Sequence, residues 1–273
     1  MPRSARSIVL ATVAAGWTLL VAAGGCGLDA VGLRGLPADA ATTTDVADAA
    51  SADATGDVTD DPVTLEVGVV VEAAPPPPGP CDDPSLVLCV RFDGSAADSA
   101  HGQAISVMGN VSYVTGKEGQ AALLDTTSVI TTPDGPAWQY SSLTVEMWAR
   151  PDTLPSGGGR AGLLDKDQSF GIFMYSDGSV GCILNQTASG TAFATLGTWV
   201  HVACVNDGTS TKLYVDGALK AMVAGSAVNK STALAAIGNN SPNLGSPWIG
   251  ALDMVRVYAR AKTATEIADD AKP

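Results

Sequence analysis

Between residues 197 and 217, GTWVHVACVNDGTSTKLYVDG, the apolar positions Val200, Val202 and Cys204 alternate with His201 and Ala203. A two-residue period is that of a strand with one buried face. Asn206-Asp207-Gly208 interrupts it with residues that tolerate positive φ, and Lys212 to Val215 forms the returning strand, so the stretch predicts a hairpin. The same texture continues from Cys81 to the C-terminus. It predicts strands over Leu86–Phe92, Ala122–Leu124, Val129–Ile130, Leu143–Arg150, Leu163–Leu164, Gly171–Tyr175, Ser179–Leu184, Ala235–Gly238 and Trp248–Tyr258, with a further turn at Ser176-Asp177-Gly178. Almost no helical period is present. Short strands at regular spacing predict an all-β, two-sheet antiparallel β-sandwich, and a stretch of about 190 residues suffices to bury its core.

The first eighty residues have a different pattern. Arg3 and Arg6 give a basic start, and Ile8 to Ala23 carries no charge, so residues 1–25 read as an export signal peptide. Gly24-Gly25-Cys26 resembles the end of a bacterial lipobox, which implies lipidation of Cys26 and a membrane anchor. An uncleaved anchor helix is the other reading, since the apolar stretch falls just short of the ~20 residues that span a bilayer. Either one leaves the rest of the chain outside the cytoplasm. Residues 26–80 continue as an Ala-, Asp-, Thr- and Pro-rich linker without a repeating apolar face, and such a composition predicts disorder. An apolar island, Leu65 to Val71, interrupts it.

Charge sharpens this division. The formal net charge is −13, made up of +2 from Arg3 and Arg6, −9 in residues 27–80 and −6 in 81–273. The acidity therefore belongs largely to the tether, where like charges extend a chain. A pI near 4.3 also argues against a nucleic-acid partner, which requires a basic surface.

Taken together, the landmarks resemble the laminin-G-like jelly roll of the concanavalin-A-like lectin/glucanase superfamily. Gly-x-Trp-x-His-Val-Ala followed by Leu-Tyr-Val-Asp-Gly resembles its central hairpin. Phe92-Asp93, the Asp98 to Gly102 loop and Gly116-Lys117-Glu118-Gly119-Gln120-Ala121 resemble its opening. Trp248 to Ile267 resembles its closing strand and short C-terminal helix. The resemblance covers roughly residues 86–268 and implies a single jelly-roll domain over 81–273.

With Cys26 assigned to lipid, four cysteines remain in an exported chain, which favours two disulfides among three possible connectivities. We expect Cys81–Cys89 and Cys182–Cys204. Cys182 shares a strand face with Val180 and Leu184, and Cys204 with Val200 and Val202, so we expect the second pair to meet on successive strands of a meander.

The glucanase members of the superfamily carry a Glu-x-Asp-x-x-Glu pattern on one strand, because retaining hydrolysis needs two carboxylates about 5–5.5 Å apart. The domain offers only Glu118, Glu146 and Glu266, and Thr144, Trp148 and Arg150 share the face of Glu146. His201 has no nucleophile to partner it. No enzyme is expected. For ligand binding, Trp138 and Tyr140 lie on a predicted loop, and Asn239 and Asn240 begin a polar one. The resemblance also implies a structural Ca²⁺ held by Asp253 of the closing strand, to which Asp93 and Asp98 could add oxygens; plain turn-forming roles are the other reading. The expected function is a non-catalytic, lectin-like binding module on the cell envelope, recognising glycan or a surface protein. The alternatives are a structural envelope lipoprotein without a small ligand, or a glycan-active enzyme with an unfamiliar site.

Overall fold

The computed structural model describes residues 79–272 apart from Gly158, Asn185, Phe193 and Ala194. The expected export signal, Cys26, the apolar island and all but the last two linker residues lie outside the described residues.

In chain order the strands are β1 (Leu86–Val90), β2 (Ser106–Met108), β3 (Val111–Thr115), β4 (Gln120–Leu124), β5 (Val129–Thr132), β6 (Leu143–Pro151), β7 (Arg160–Lys166) and β8 (Phe170–Tyr175). There follow β9 (Ser179–Leu184), β10 (Gln186–Ala192), β11 (Val200–Asn206), β12 (Ser210–Val215), β13 (Ala218–Ala224), β14 (Ala235–Ile237) and β15 (Gly250–Tyr258), then helix α1 (Ala264–Asp270). They form two antiparallel sheets. An eight-stranded sheet runs β13-β12-β11-β6-β15-β4-β3, with β1 also pairing β15, and a seven-stranded sheet runs β10-β9-β8-β7-β14-β5-β2. This is the expected jelly-roll sandwich.

The inner faces are the apolar halves of the alternating strands. Leu143, Val145, Met147 and Ala149 of β6 meet Phe170, Ile172 and Met174 of β8 in one continuous core. Strands with no buried alternation escape sequence reading: β2 is exposed at all three positions and β13 is largely exposed. Both lie at sheet edges.

Cys81–Cys89 and Cys182–Cys204 are both joined. The first fastens the start of the domain to β1. The second corrects the expected geometry, because β9 and β11 belong to different sheets, so the bridge crosses the core. Both cysteines do face inward. The meander leaves its first sheet between them.

Two backbone features set up the outer face of the eight-stranded sheet. In β15 the register shifts between Asp253 and Arg256, with Met254 at φ 49°. The bulge keeps Asp253 and Arg256 on the outer face, opposite Trp148 and Glu146, although simple alternation would put them on opposite sides. At the C-terminus Thr263 and Glu266 form a capping box that starts α1. Ile267 of this helix packs on Ala203, Val205 and Tyr214, covering part of that face.

Candidate functional site

The outer face of the seven-stranded sheet has a different surface. Along β8, Phe170, Ile172 and Met174 point to the core, which leaves Gly171, Phe173 and Tyr175 outward. Phe173 lies between Gly162 of β7 and Gly181 of β9. A register shift in β7 between Gly162 and Leu164 sets Asp165 opposite Gly171. The absence of a side chain at Gly171 is required: a Cβ there would come within 2.4 Å of the Phe173 ring and 2.7 Å of Asp165 Oδ1. The Arg160 guanidinium stacks over the same ring at 3.8 Å from its centroid. A cavity of about 350 Å³ results, lined among others by Arg160, Asp165, Gln168, Phe173, Asn229 and Ser241.

Asp165 gives this groove its chemistry. Its Oδ2 accepts the Ser241 N–H at 2.7 Å, and only 8% of the residue is exposed. Burial pushes its pKa up to about 6, against the pull of that hydrogen bond and of Arg160. No cation lies within ion-pair distance of it among the described residues. Lys166, next in the chain, turns to the core side, where its Nζ pairs with Asp134 at 2.8 Å and lies 5.2 Å from the Trp138 ring. The groove thus presents a desolvated carboxylate, a stacked guanidinium and amide and hydroxyl groups. That set can hold a polyhydroxylated ligand by paired hydrogen bonds.

Sequence reasoning chose other residues. Trp138 and Tyr140 are buried, at 2% and 4% exposure. Trp138 stacks on Phe170 and donates its Nε1–H to Gln103 Oε1, while the Tyr140 hydroxyl bonds Ser169 Oγ. Their loop folds down onto the end of the sheet, so these rings are core and not ligand platforms. Asn239 and Asn240 lie nearer the groove but turn their side-chain oxygens into their own loop. Asn239 Oδ1 accepts from Asn240 and Ser246 N–H groups, and Asn240 Oδ1 from Gly245 N–H. They shape the wall that carries Ser241. Asp165, Arg160 and Phe173 were missed because β7 and β8 read as apolar runs; the lone carboxylate inside such a run was the available signal.

On the opposite outer face the charges are closed off. Glu146 is fully buried, and its Oε1 takes Arg256 Nη2 and Lys262 Nζ at 3.0 Å each. Asp270 of α1 also pairs with Lys262 and Arg256. Burial raises the Glu146 pKa, but the two cations more than offset it and the net direction is down. His201 lies edge-on to Trp148, buried, with its pKa pushed down to about 4 chiefly by burial. Its imidazole is neutral at pH 7.

The three aspartates proposed for calcium separate into two places. Asp98 accepts the N–H groups of Cys89 and Ala100 on one oxygen and of His101 and Gln103 on the other. Both oxygens are occupied in bracing β1, so Asp98 is corrected from cation ligand to loop brace. Asp93 and Asp253 converge on the 116–120 loop. Asp253 Oδ2 accepts from Lys117 and Glu118 N–H, and Asp93 Oδ1 from Gln120 N–H. The Gly-Lys-x-Gly motif has its reason here: a Cβ at Gly116 or Gly119 would lie 2.4 Å from Asp253 Oδ2 or 2.1 Å from Asp93 Oδ1. Asp253 Oδ1 is buried with no partner. Burial, with Asp93 nearby, raises the Asp253 pKa to about 6. Asp93 Oδ2 pairs with Arg91 at 3.0 Å, so Asp253 Oδ1 is the one unpartnered oxygen of the pair, fewer than the six to eight that Ca²⁺ takes. No group of three or more His, Cys, Asp or Glu side chains comes together among the described residues.

Comparison with known proteins agrees with this architecture. No curated protein sequence matches the chain. Domain 4 of AbnA, a GH43 extracellular arabinanase from Geobacillus stearothermophilus solved with arabinotriose, is 25% identical over 69% of this chain and 98% of its own, at TM-score 0.55. The binding domain of Paraclostridial Mosquitocidal Protein 1 is 16% identical over 68% of this chain, at TM-score 0.54. The receptor binding domain of botulinum neurotoxin C/D mosaic serotype is 13% identical over 68%, at TM-score 0.55. The chain spans about half the length of these two toxin domains, 52% and 51%, and shares with them the fold alone. The model of the concanavalin A-like lectin/glucanases superfamily matches residues 124–268, and to that superfamily this chain belongs.

Proposed function

We propose that the protein is a non-catalytic, lectin-like binding module acting outside the cytoplasm, and that it takes a neutral glycan in the groove of the seven-stranded sheet. One observation carries the reading: Asp165 is held desolvated and, among the described residues, without an ion-pair partner, in a cavity beside the stacked Arg160. Keeping such a carboxylate is costly unless a ligand hydrogen-bonds to it. The similarity to a domain solved with arabinotriose supports the ligand class. The burial of Glu146 in ion pairs supports binding over hydrolysis, since a carboxylate so paired is poorly placed to act as acid or nucleophile.

The two disulfides support an oxidising location, and no described helix is long and apolar enough to cross a membrane. Lipidation of Cys26 would supply the anchor, and Cys26→Ala would then release the protein from membranes. A Ca²⁺ ion would be held by Asp253 and Asp93, tying the 116–120 loop to β15.

A glycan array followed by titration calorimetry tests the main reading. Arabino-, xylo- or gluco-oligosaccharides should bind the wild type, and Asp165→Ala and Arg160→Ala should each lower affinity about tenfold or more. Binding untouched by both substitutions would contradict the site.

A further inference from the structure

The cavity at Asp165 has a neighbour. A second cavity, of about 340 Å³, is also lined by Arg160. The loop that borders the first through Ser241 borders the second through Gly245 and Ser246. That shared wall is fixed at several points. Ser241 N–H donates to Asp165 Oδ2, Gly162 N–H to the Ser246 carbonyl at 2.9 Å, and Ser246 N–H to Asn239 Oδ1 at 3.0 Å. A wall held this way needs little ordering when a ligand arrives.

The two cavities differ in chemistry. The first has the carboxylates of Asp165 and Asp167, the Arg160 guanidinium, Lys166 and amide groups. The second has apolar surface from Leu154, Pro155 and Ile249 with hydroxyls from Thr153 and Ser156, and Arg160 is its one charged residue among those described. Apolar walls edged by hydroxyls suit a sugar ring, which has a C–H face and a rim of O–H groups. The charges lining the first cavity balance, Asp165 and Asp167 against Arg160 and Lys166, which suits a neutral chain.

We infer that the two cavities are one extended site for a neutral oligosaccharide that occupies both, with Arg160 against the unit at the junction. This rests on the glycan reading above and deepens it. The protein then holds consecutive units of a chain, and a single sugar fills only the first cavity.

The test is titration calorimetry of the full chain with linear arabino-, xylo- and gluco-oligosaccharides of one to six units. In the series that binds, affinity should climb about tenfold or more once the chain outgrows the first cavity, then level off. Ser156→Trp places a large ring in the second cavity from an exposed position. It should bring long-chain affinity down to that of the short chains and leave the shortest ligand within about twofold. A thermal melt checks that the variant folds, and Leu154→Ala gives a smaller loss in the same direction. Equal affinity for all lengths, or long-chain binding indifferent to both variants, would overturn the inference while leaving the Asp165 groove standing. Absence of binding to any of the three series would overturn both.

Discussion

Glu146 on the eight-stranded sheet and Asp165 on the seven-stranded sheet are both buried on the side turned away from the shared core. The chain treats them in opposite ways. Around Glu146 it gathers Arg256 and Lys262, and α1 adds Asp270 to the network; the carboxylate stays ionised and closed off. Around Asp165 it provides a backbone N–H, a stacked arginine outside ion-pair distance and a cavity, and the pKa rises. A buried charge held between two cations is architecture, even though Glu146 Oε2 itself has no hydrogen-bond partner. One without a cation in reach, with room beside it, is where a ligand completes the set.

The sharpest way to break this contrast is Glu146→Gln. It leaves Arg256 and Lys262 buried without their counter-charge and should cost about 3–5 kcal/mol of stability in urea unfolding. A cost below about 1 kcal/mol would mean that the network is solvated and the contrast false. The next effect has the opposite sign. Because folding raises the Asp165 pKa from 3.8 to about 6, its stabilising contribution is full below pH 4 and is lost as pH rises through 6. Asp165→Asn should therefore gain about 2 kcal/mol at pH 7, gain little at pH 4, and weaken glycan binding. Glu146, with its lowered pKa, contributes stability above its ordinary range that is lost on acidification. The two carboxylates thus bend the pH–stability profile in opposite directions.

How much of this was legible in the sequence depended on which face a residue occupied. The core strands were readable because Val145, Met147, Val200, Val202 and Cys204 alternate with residues of another face. The hairpin turns were readable because Gly178 and Gly208 sit at positive φ. The edge strands β2 and β13 have no buried face and gave no signal. The bulges in β7 and β15 were invisible because alternation assumes an unbroken register, and these bulges set Asp165 and Asp253 in place. Trp138 misled for a related reason. An aromatic in a loop reads as exposed, yet this loop folds over Phe170.

Two smaller effects sharpen the comparison. Asp253 also has a raised pKa, about 6, and an orphaned Oδ1, but beside a second carboxylate instead of a cavity. Ca²⁺ should raise the melting temperature of metal-stripped protein by a few degrees, rising with the logarithm of concentration above the dissociation constant. Asp253→Asn should abolish that response, and a wild-type melt indifferent to millimolar Ca²⁺ would remove the metal. Arg160→Ala, at an exposed position, should change stability by no more than about 0.5 kcal/mol while reducing glycan affinity.

The central claim is that the ligand sits on the open face of the seven-stranded sheet. Amide hydrogen–deuterium exchange with and without a saturating neutral oligosaccharide measures this directly. The account predicts slowed exchange in residues 160–173 and 239–247, with 144–148 and 256–270 unchanged. Protection confined to the α1-covered face, or to the 116–120 loop beside Asp93 and Asp253, would contradict it.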